Sequence, residues 1–252
     1  MNFKTDIGVY FLIFQFLTES FFNKYIVLKF VSRPYVIHLE DLKSIRAEQE
    51  ELVCIFTLMS EKKLYIIAGC NGAGKTTASF TILPEILDCK EFVNADEIAK
   101  GLSPFQPEEV AFEAGRIMLN RINELLSENK TFAFETTLST RSYRNKIVEA
   151  QEKGYRVILV FFWLQNIDLA KERVKVRVSE GGHNIEPEVI ERRYIKGIKN
   201  LFDLYLPIVD GAFVFDNSEG QPELLADKRF GFDLDIINEE KFNLIKNFYD
   251  SN

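Results

Sequence analysis

The chain has 252 residues and a formal charge of −7, with 38 Asp and Glu against 31 Lys and Arg. Its 46% apolar and 27% charged content is that of a folded globular protein and excludes disorder over the full length. The acidic excess argues against a surface built to coat nucleic acid. Cys54, Cys70 and Cys89 share no C-x-x-C spacing, and with only 2 histidines a disulfide framework or a zinc centre is not expected; a reduced, cytoplasmic setting fits.

Composition breaks near residue 59. Residues 1–58 hold eight of the 23 phenylalanines but a single glycine, Gly8, and a single proline, Pro34. Their most apolar run, residues 7–17, falls short of the ~20 residues a helix needs to cross a bilayer. No A-x-A-like cleavage site follows it, so neither membrane insertion nor export is expected. Leu39, Leu42, Ile45 and Leu52 are spaced for a short helix over 39–52. From Met59 the sequence MSEKKLYIIAG runs through a brief polar lead into a buried-type strand, as a complete domain would. Met59 is therefore the expected true start, with 1–58 an N-terminal extension, mis-assigned or poorly ordered, and 59–252 the working domain. The N-terminal mass of protein made from the native gene tests this.

Leu64 to Ala68 is an apolar, β-prone run. It leads into Gly69-Cys70-Asn71-Gly72-Ala73-Gly74-Lys75-Thr76-Thr77, which satisfies G-x-x-x-x-G-K-[ST] in the strand–loop–helix context that the motif requires. Glycines let backbone N–H groups turn inward around an anion. Lys75 offers a point charge to the β- and γ-phosphates, and the Thr76 hydroxyl can join the shell of Mg²⁺. Gly69 and Asn71 to Thr77 are thus the candidate nucleotide-binding residues, and Pro84 is expected to limit or kink the helix that follows.

Downstream, apolar runs alternate with amphipathic stretches. Strands are expected at 91–94, 131–134, 156–164 and 212–215, and helices at 107–128, 141–153, 166–179 and 187–205. With the strand before the P-loop this predicts an α/β P-loop NTPase fold, a mainly parallel five-stranded sheet with helices on both faces. Ligands in such sheets bind beyond the carboxyl ends of the strands. Asp96 and Glu135 end two of the apolar runs there, so Asp96 is the candidate general base, and Glu135, Thr136 and Thr137 are candidate acceptor contacts. Asp96 also suits capping the helix EIAKGL, a role compatible with catalysis.

Arg173 and Arg177 share a helix face. Gly181-Gly182-His183-Asn184 then connects to a helix opening at Pro187 that carries Arg192 and Arg193. Two arginine-bearing helices joined through glycines predict a lid whose guanidinium groups stabilise a transferring phosphoryl group and exclude water. The alternative for this stretch is a solvated basic face with Lys171, Lys175, Lys196 and Lys199. Arg177, Arg192 and Arg193 are the preferred catalytic arginines, and His183 is expected to shape the turn.

GCNGAGKTT, VNADEIAKGLSP, AFEAGRIMLNRI, FAFETTLST, RVKVRVSEGGHNI, VIERRY and FDNSEG, in this order, resemble the zeta-toxin family of P-loop kinases, most closely its short bacterial branch, also labelled predicted ABC-type ATPases. The resemblance runs from about Met59 onward. It implies transfer of the γ-phosphate of ATP or GTP, with Mg²⁺, to a sugar hydroxyl, in better-understood members that of UDP-N-acetylglucosamine, and it implies an antitoxin partner. Lys75 and Thr76 fall on the phosphate and metal positions, Asp96 on the base, and Glu135 and Thr137 on acceptor-binding positions. Cys70 departs from the proline usual there without disturbing the glycines or Lys75. The alternatives are an ABC-type or other P-loop ATPase, against which no LSGGQ-like signature is present, and a nucleotide-binding interaction module. Neither a nucleic-acid nor a membrane partner is expected.

Overall fold

The computed structural model describes residues 61–182 and 184–251, and all elements below belong to the unit Lys62–Asn252. The expectations for residues 1–58, the helix at 39–52 and the role of His183 lie outside the described residues.

Strand β1 (Lys63–Gly69) is followed by the loop Cys70–Gly74 and helix α1 (Lys75–Thr81). A π-helical turn, Ile82–Ile86, then contains Pro84, where a missing N–H and a ring clash disfavour regular i→i−4 bonding. Next come β2 (Phe92–Val93), α2 (Ala95–Leu102), a 3₁₀ turn (Pro107–Val110), α3 (Ala111–Ser127) and β3 (Phe132–Thr136). They are followed by α4 (Tyr143–Glu152), β4 (Arg156–Trp163), α5 (Ile167–Ser179), and α6 (Pro187–Asn200) with a π turn at Leu201–Tyr205. The chain ends in β5 (Gly211–Asp216), β6 (Glu223–Lys228), β7 (Leu234–Ile236) and α7 (Glu239–Asp250).

The strands form one sheet in the order β2-β3-β1-β4-β5-β6-β7. Neighbours from β2 to β5 are parallel, while β6 and β7 are antiparallel. The sheet therefore has seven strands, not five, and Ala212–Phe215 does not close it. ELLADK lacks the β-branched and aromatic residues that mark a strand. It pairs because β5 leaves an edge to be covered, and burial of Leu225 and Ala226 compensates the weak propensity. The C-terminal helix α7, which buries Phe242 and Ile245, was likewise not anticipated.

In β1, β4 and β5 residues of both alternations are buried, which requires cover on both faces of the sheet. Phe132, Phe134, Phe162 and Phe213 are among the largest fully buried side chains, and the Phe162 and Phe215 rings stack at 5.6 Å on neighbouring strands. Among the described residues no helix is long and apolar enough to cross a membrane.

Two boundaries differ from expectation in ways that matter for the site. Strand β2 stops at Val93, so Asp96 does not end a strand but lies in the first turn of α2. The cap of that helix is Asn94, whose Oδ1 accepts the Asp96 N–H at 2.8 Å, so the Asp96 carboxylate is released from capping. Glu135 is likewise inside β3, in register with Ile67 of β1, two residues before the first P-loop glycine.

Candidate functional site

The loop after β1 is held open by backbone conformations closed to other residues. Gly69 and Gly74 have φ of 142° and 80°, and a Cβ on Gly69 would collide with the carbonyl oxygen of Phe162 on β4. Gly69→Ala is expected to cost about 1–3 kcal/mol, read as a Tm lower by several degrees; an unchanged Tm would show that the loop can relax around a side chain. Gly74 caps α1 in the left-handed region with no side-chain acceptor, leaving the first N–H groups of α1 for a ligand. The far side of the loop is secured by Asn217, which follows β5 and donates from Nδ2 to the Ala73 carbonyl at 2.8 Å.

Lys75 is 6% exposed. Its ammonium donates to the Cys70 carbonyl at 2.9 Å and lies 3.5 Å from Glu135 Oε1. The other oxygen of the same carboxylate, Oε2, accepts from Thr76 Oγ1 and from Asn94 Nδ2, each at 2.8 Å. A buried ammonium without a counter-charge is costly, and Glu135 supplies one. The parallel register of β1 and β3 makes this contact. Glu135 is thus joined to the predicted phosphate and metal residues. Among the described residues no group of three or more His, Cys, Asp or Glu could cage a metal. A hydroxyl and a carboxylate side by side are nevertheless the hard oxygen donors that suit Mg²⁺, which takes one or two carboxylates and completes its shell with phosphates and water. The donor set fits the ion.

Asp96 lies in the first turn of α2. Burial, the largest effect, lowers the pKa of Arg193; the charge of Asp96 opposes that shift and the neighbouring Arg192 adds to it. Arg193 also reaches the P-loop, Nη1 donating to Asn71 Oδ1 at 3.3 Å, whereas Arg192 is exposed. The proposed lid is not free-standing here. Helix α6 buries Ile190, Tyr194, Gly197 and Ile198; Tyr194 accepts from Trp163 Nε1 at 3.1 Å and donates to the Leu164 carbonyl at 2.6 Å. A Cβ on Gly197 would lie 2.7 Å from the Thr137 carbonyl oxygen, so glycine lets α6 rest on the turn after β3. Asn200 Nδ2 holds the Leu138 carbonyl of that turn at 2.7 Å.

The remaining residues divide. Thr136 spends its hydroxyl on the turn, accepting the N–H of Leu138, which has φ of 55°. The Thr137 hydroxyl is 2.9 Å from that of Ser139, and Thr77 is exposed. Arg177 packs under Gly182 at the end of α5, its carbonyl accepting the Gly182 N–H at 2.8 Å. Arg173, which ranked below Arg177 in the sequence, lies beside Gly72 of the P-loop and donates from Nη2 to the Ser218 carbonyl at 2.6 Å. Burial, the largest effect, raises the pKa of the Cys70 thiol to about 11, with Lys75 opposing, so Cys70 stays a neutral wall of the loop. Asn94 and Asn217 were not singled out in the sequence. Asn directly ahead of a helix start is a recognised cap signal and could have identified the first; nothing local marks the second, which works only through the fold.

The family model described as Zeta toxin matches residues 54–219, reaching into residues 54–58, upstream of the Met59 at which the sequence resemblance begins. A Haemophilus influenzae protein (strain Rd) described as uncharacterized is 30% identical over 145 residues, 54% of this chain and 100% of its own length. Among solved structures, the AvrRxo1-ORF1:AvrRxo1-ORF2 complex with sulphate ions aligns with a TM-score of 0.62 at 18% identity, over 73% of this chain and 63% of that one. The same pair with ATP aligns with a TM-score of 0.59 at 18% identity, again over 73% and 63%. This chain thus spans just under two thirds of the chain it matches in that pair. A structure from the PezAT toxin-antitoxin system of Streptococcus pneumoniae aligns with a TM-score of 0.51 at 13% identity, over 82% of this chain and 96% of that one. These structural likenesses establish the fold.

Proposed function

Because the chain belongs to the zeta toxin family, we propose that it is a Mg²⁺-dependent kinase that transfers the γ-phosphate of ATP or GTP to a hydroxyl of a small acceptor, a UDP-N-acetyl sugar by family likeness. The observation that carries this reading is the cluster at the carboxyl ends of β1 and β3, where Glu135 holds Lys75 and Thr76, with Arg193 bonded to Asn71 of the P-loop and under the charge of Asp96. Asp96 takes the proton of the acceptor hydroxyl as its oxygen attacks the γ-phosphorus, and the bond to the β–γ bridging oxygen breaks to release the nucleoside diphosphate. Lys75 and Arg193 meet the charge spread over the transferring group. Mg²⁺, held by Thr76 and the Glu135 carboxylate, would neutralise the β- and γ-phosphates. Glu135 and Thr137 line the acceptor side. A protein antitoxin and a cytoplasmic setting belong to the same reading, the first supported by the toxin-antitoxin origin of the PezAT relative.

The test is incubation with γ-labelled ATP or GTP, with and without Mg²⁺, against a panel of UDP-sugars and nucleosides. Label on an acceptor supports the proposal. Nucleotide bound with neither labelled acceptor nor diphosphate formed would leave a nucleotide-holding interaction module, and diphosphate formed without labelled acceptor a simple ATPase. Within the kinase reading, Arg193→Ala is expected to slow transfer by on the order of tenfold or more. Arg192→Ala, at the exposed neighbour, is expected to change it little. Equal losses in the two variants would remove Arg193 from the site.

A further inference from the structure

Asn94 spends both ends of one buried carboxamide on the two acids of the site. Its Oδ1 accepts the backbone N–H of Asp96 and so fixes the first turn of α2; its Nδ2 donates to Glu135 Oε2, and both contacts are 2.8 Å. The residue is 6% exposed, so water does not readily replace either bond. The Glu135 oxygen it holds is the one that also accepts the Thr76 hydroxyl, while the other carboxylate oxygen faces Lys75. One side chain therefore links the element that carries the base to the group that meets triphosphate and metal. Val93, immediately before it, pairs with Phe134 of β3, immediately before Glu135, so the strand register delivers the amide to the carboxylate.

We propose that Asn94 is a positioning residue, a clamp that sets the base Asp96 and the phosphate-side carboxylate Glu135 at a fixed separation; this rests on the kinase reading above. A group that bridges two reacting partners acts on the geometry of transfer, where small displacements are expensive. Capping alone would not require asparagine, because Ser, Asp and Asn cap comparably. Only asparagine among the three offers an amide donor to Glu135 together with an oxygen to Asp96. Asn94→Asp keeps the cap but sets a second carboxylate against Glu135, Asn94→Ser keeps the cap and deletes the donor, and Asn94→Ala deletes both.

The experiment compares the four proteins in Tm, in ATP affinity by calorimetry with and without Mg²⁺, and in transfer kinetics. A clamp predicts that Asn94→Ser keeps Tm near the parent value while Mg²⁺-dependent tightening of ATP and kcat both fall by about 10–100-fold, as when a partner of a ligand is removed, with acceptor KM little moved. Asn94→Asp is expected to be worse and to lose Tm as well, because it buries a second carboxylate against Glu135. A mere cap predicts Ser to behave as the parent and Ala to lose stability, and that result would overturn the proposal. If the parent phosphorylates no acceptor, the kinase reading fails by itself and the calorimetry still decides: equal Mg²⁺-dependent ATP affinity in parent and Asn94→Ser refutes the clamp.

Discussion

Asp96→Asn is expected to bind nucleotide as the parent chain does and to transfer phosphate about 10²–10⁴-fold more slowly, the range set by loss of a general base. The substitution is close to isosteric, and the peptide N–H of residue 96 remains capped by Asn94, so α2 should keep its start. What disappears is the proton acceptor and one negative charge beside Arg193. A triphosphate loses a repulsive neighbour by that change, so affinity should hold or rise slightly while single-turnover transfer collapses. Tight binding with transfer near the parent rate would take Asp96 out of the chemistry, and Glu135 would be the next acid to test.

Lys75→Ala should weaken nucleotide binding and lower transfer by about 10²–10³-fold, the loss typical of removing one preorganised charge stabiliser. The side chain is buried between the Cys70 carbonyl and Glu135. Its removal deletes a phosphate ligand and also leaves the Glu135 carboxylate, 8% exposed, facing the incoming anion without compensation. This second effect makes a sharper prediction: in Lys75→Ala with Glu135→Gln, part of the lost nucleotide affinity returns, a non-additivity of the kind that coupled neighbours show. Losses in the double variant equal to the sum of the single ones would mean that Lys75 and Glu135 act independently on the nucleotide.

Much of the site was legible because its logic is local. The P-loop is a contiguous stretch whose glycines, lysine and threonine each have a mechanical duty, and Asp96 and Glu135 stood out as acids at the ends of apolar runs. The choice between Arg192 and Arg193 was also within reach: Ile190, Tyr194 and Ile198 recur every four residues as the buried stripe, and Arg193 flanks that stripe while Arg192 points away. Arg173 was harder, since its neighbours Gly72 and Ser218 belong to distant segments. The missed strands β6 and β7 carry weak β-propensity and exist because an edge was available to pair with.

The sequence by itself determined the class of fold, the phosphate-loop motif and the candidate side chains, because backbone conformation, periodicity and residue type are properties of short stretches. Only the tertiary structure decided how those side chains are shared. That Glu135 serves Lys75 and Thr76, that Asn94 takes the cap and frees Asp96, and that α6 rests on the β3 turn with Arg193 over the P-loop all follow from strand register and helix docking. Contacts between residues tens of positions apart depend on distances that no local pattern encodes.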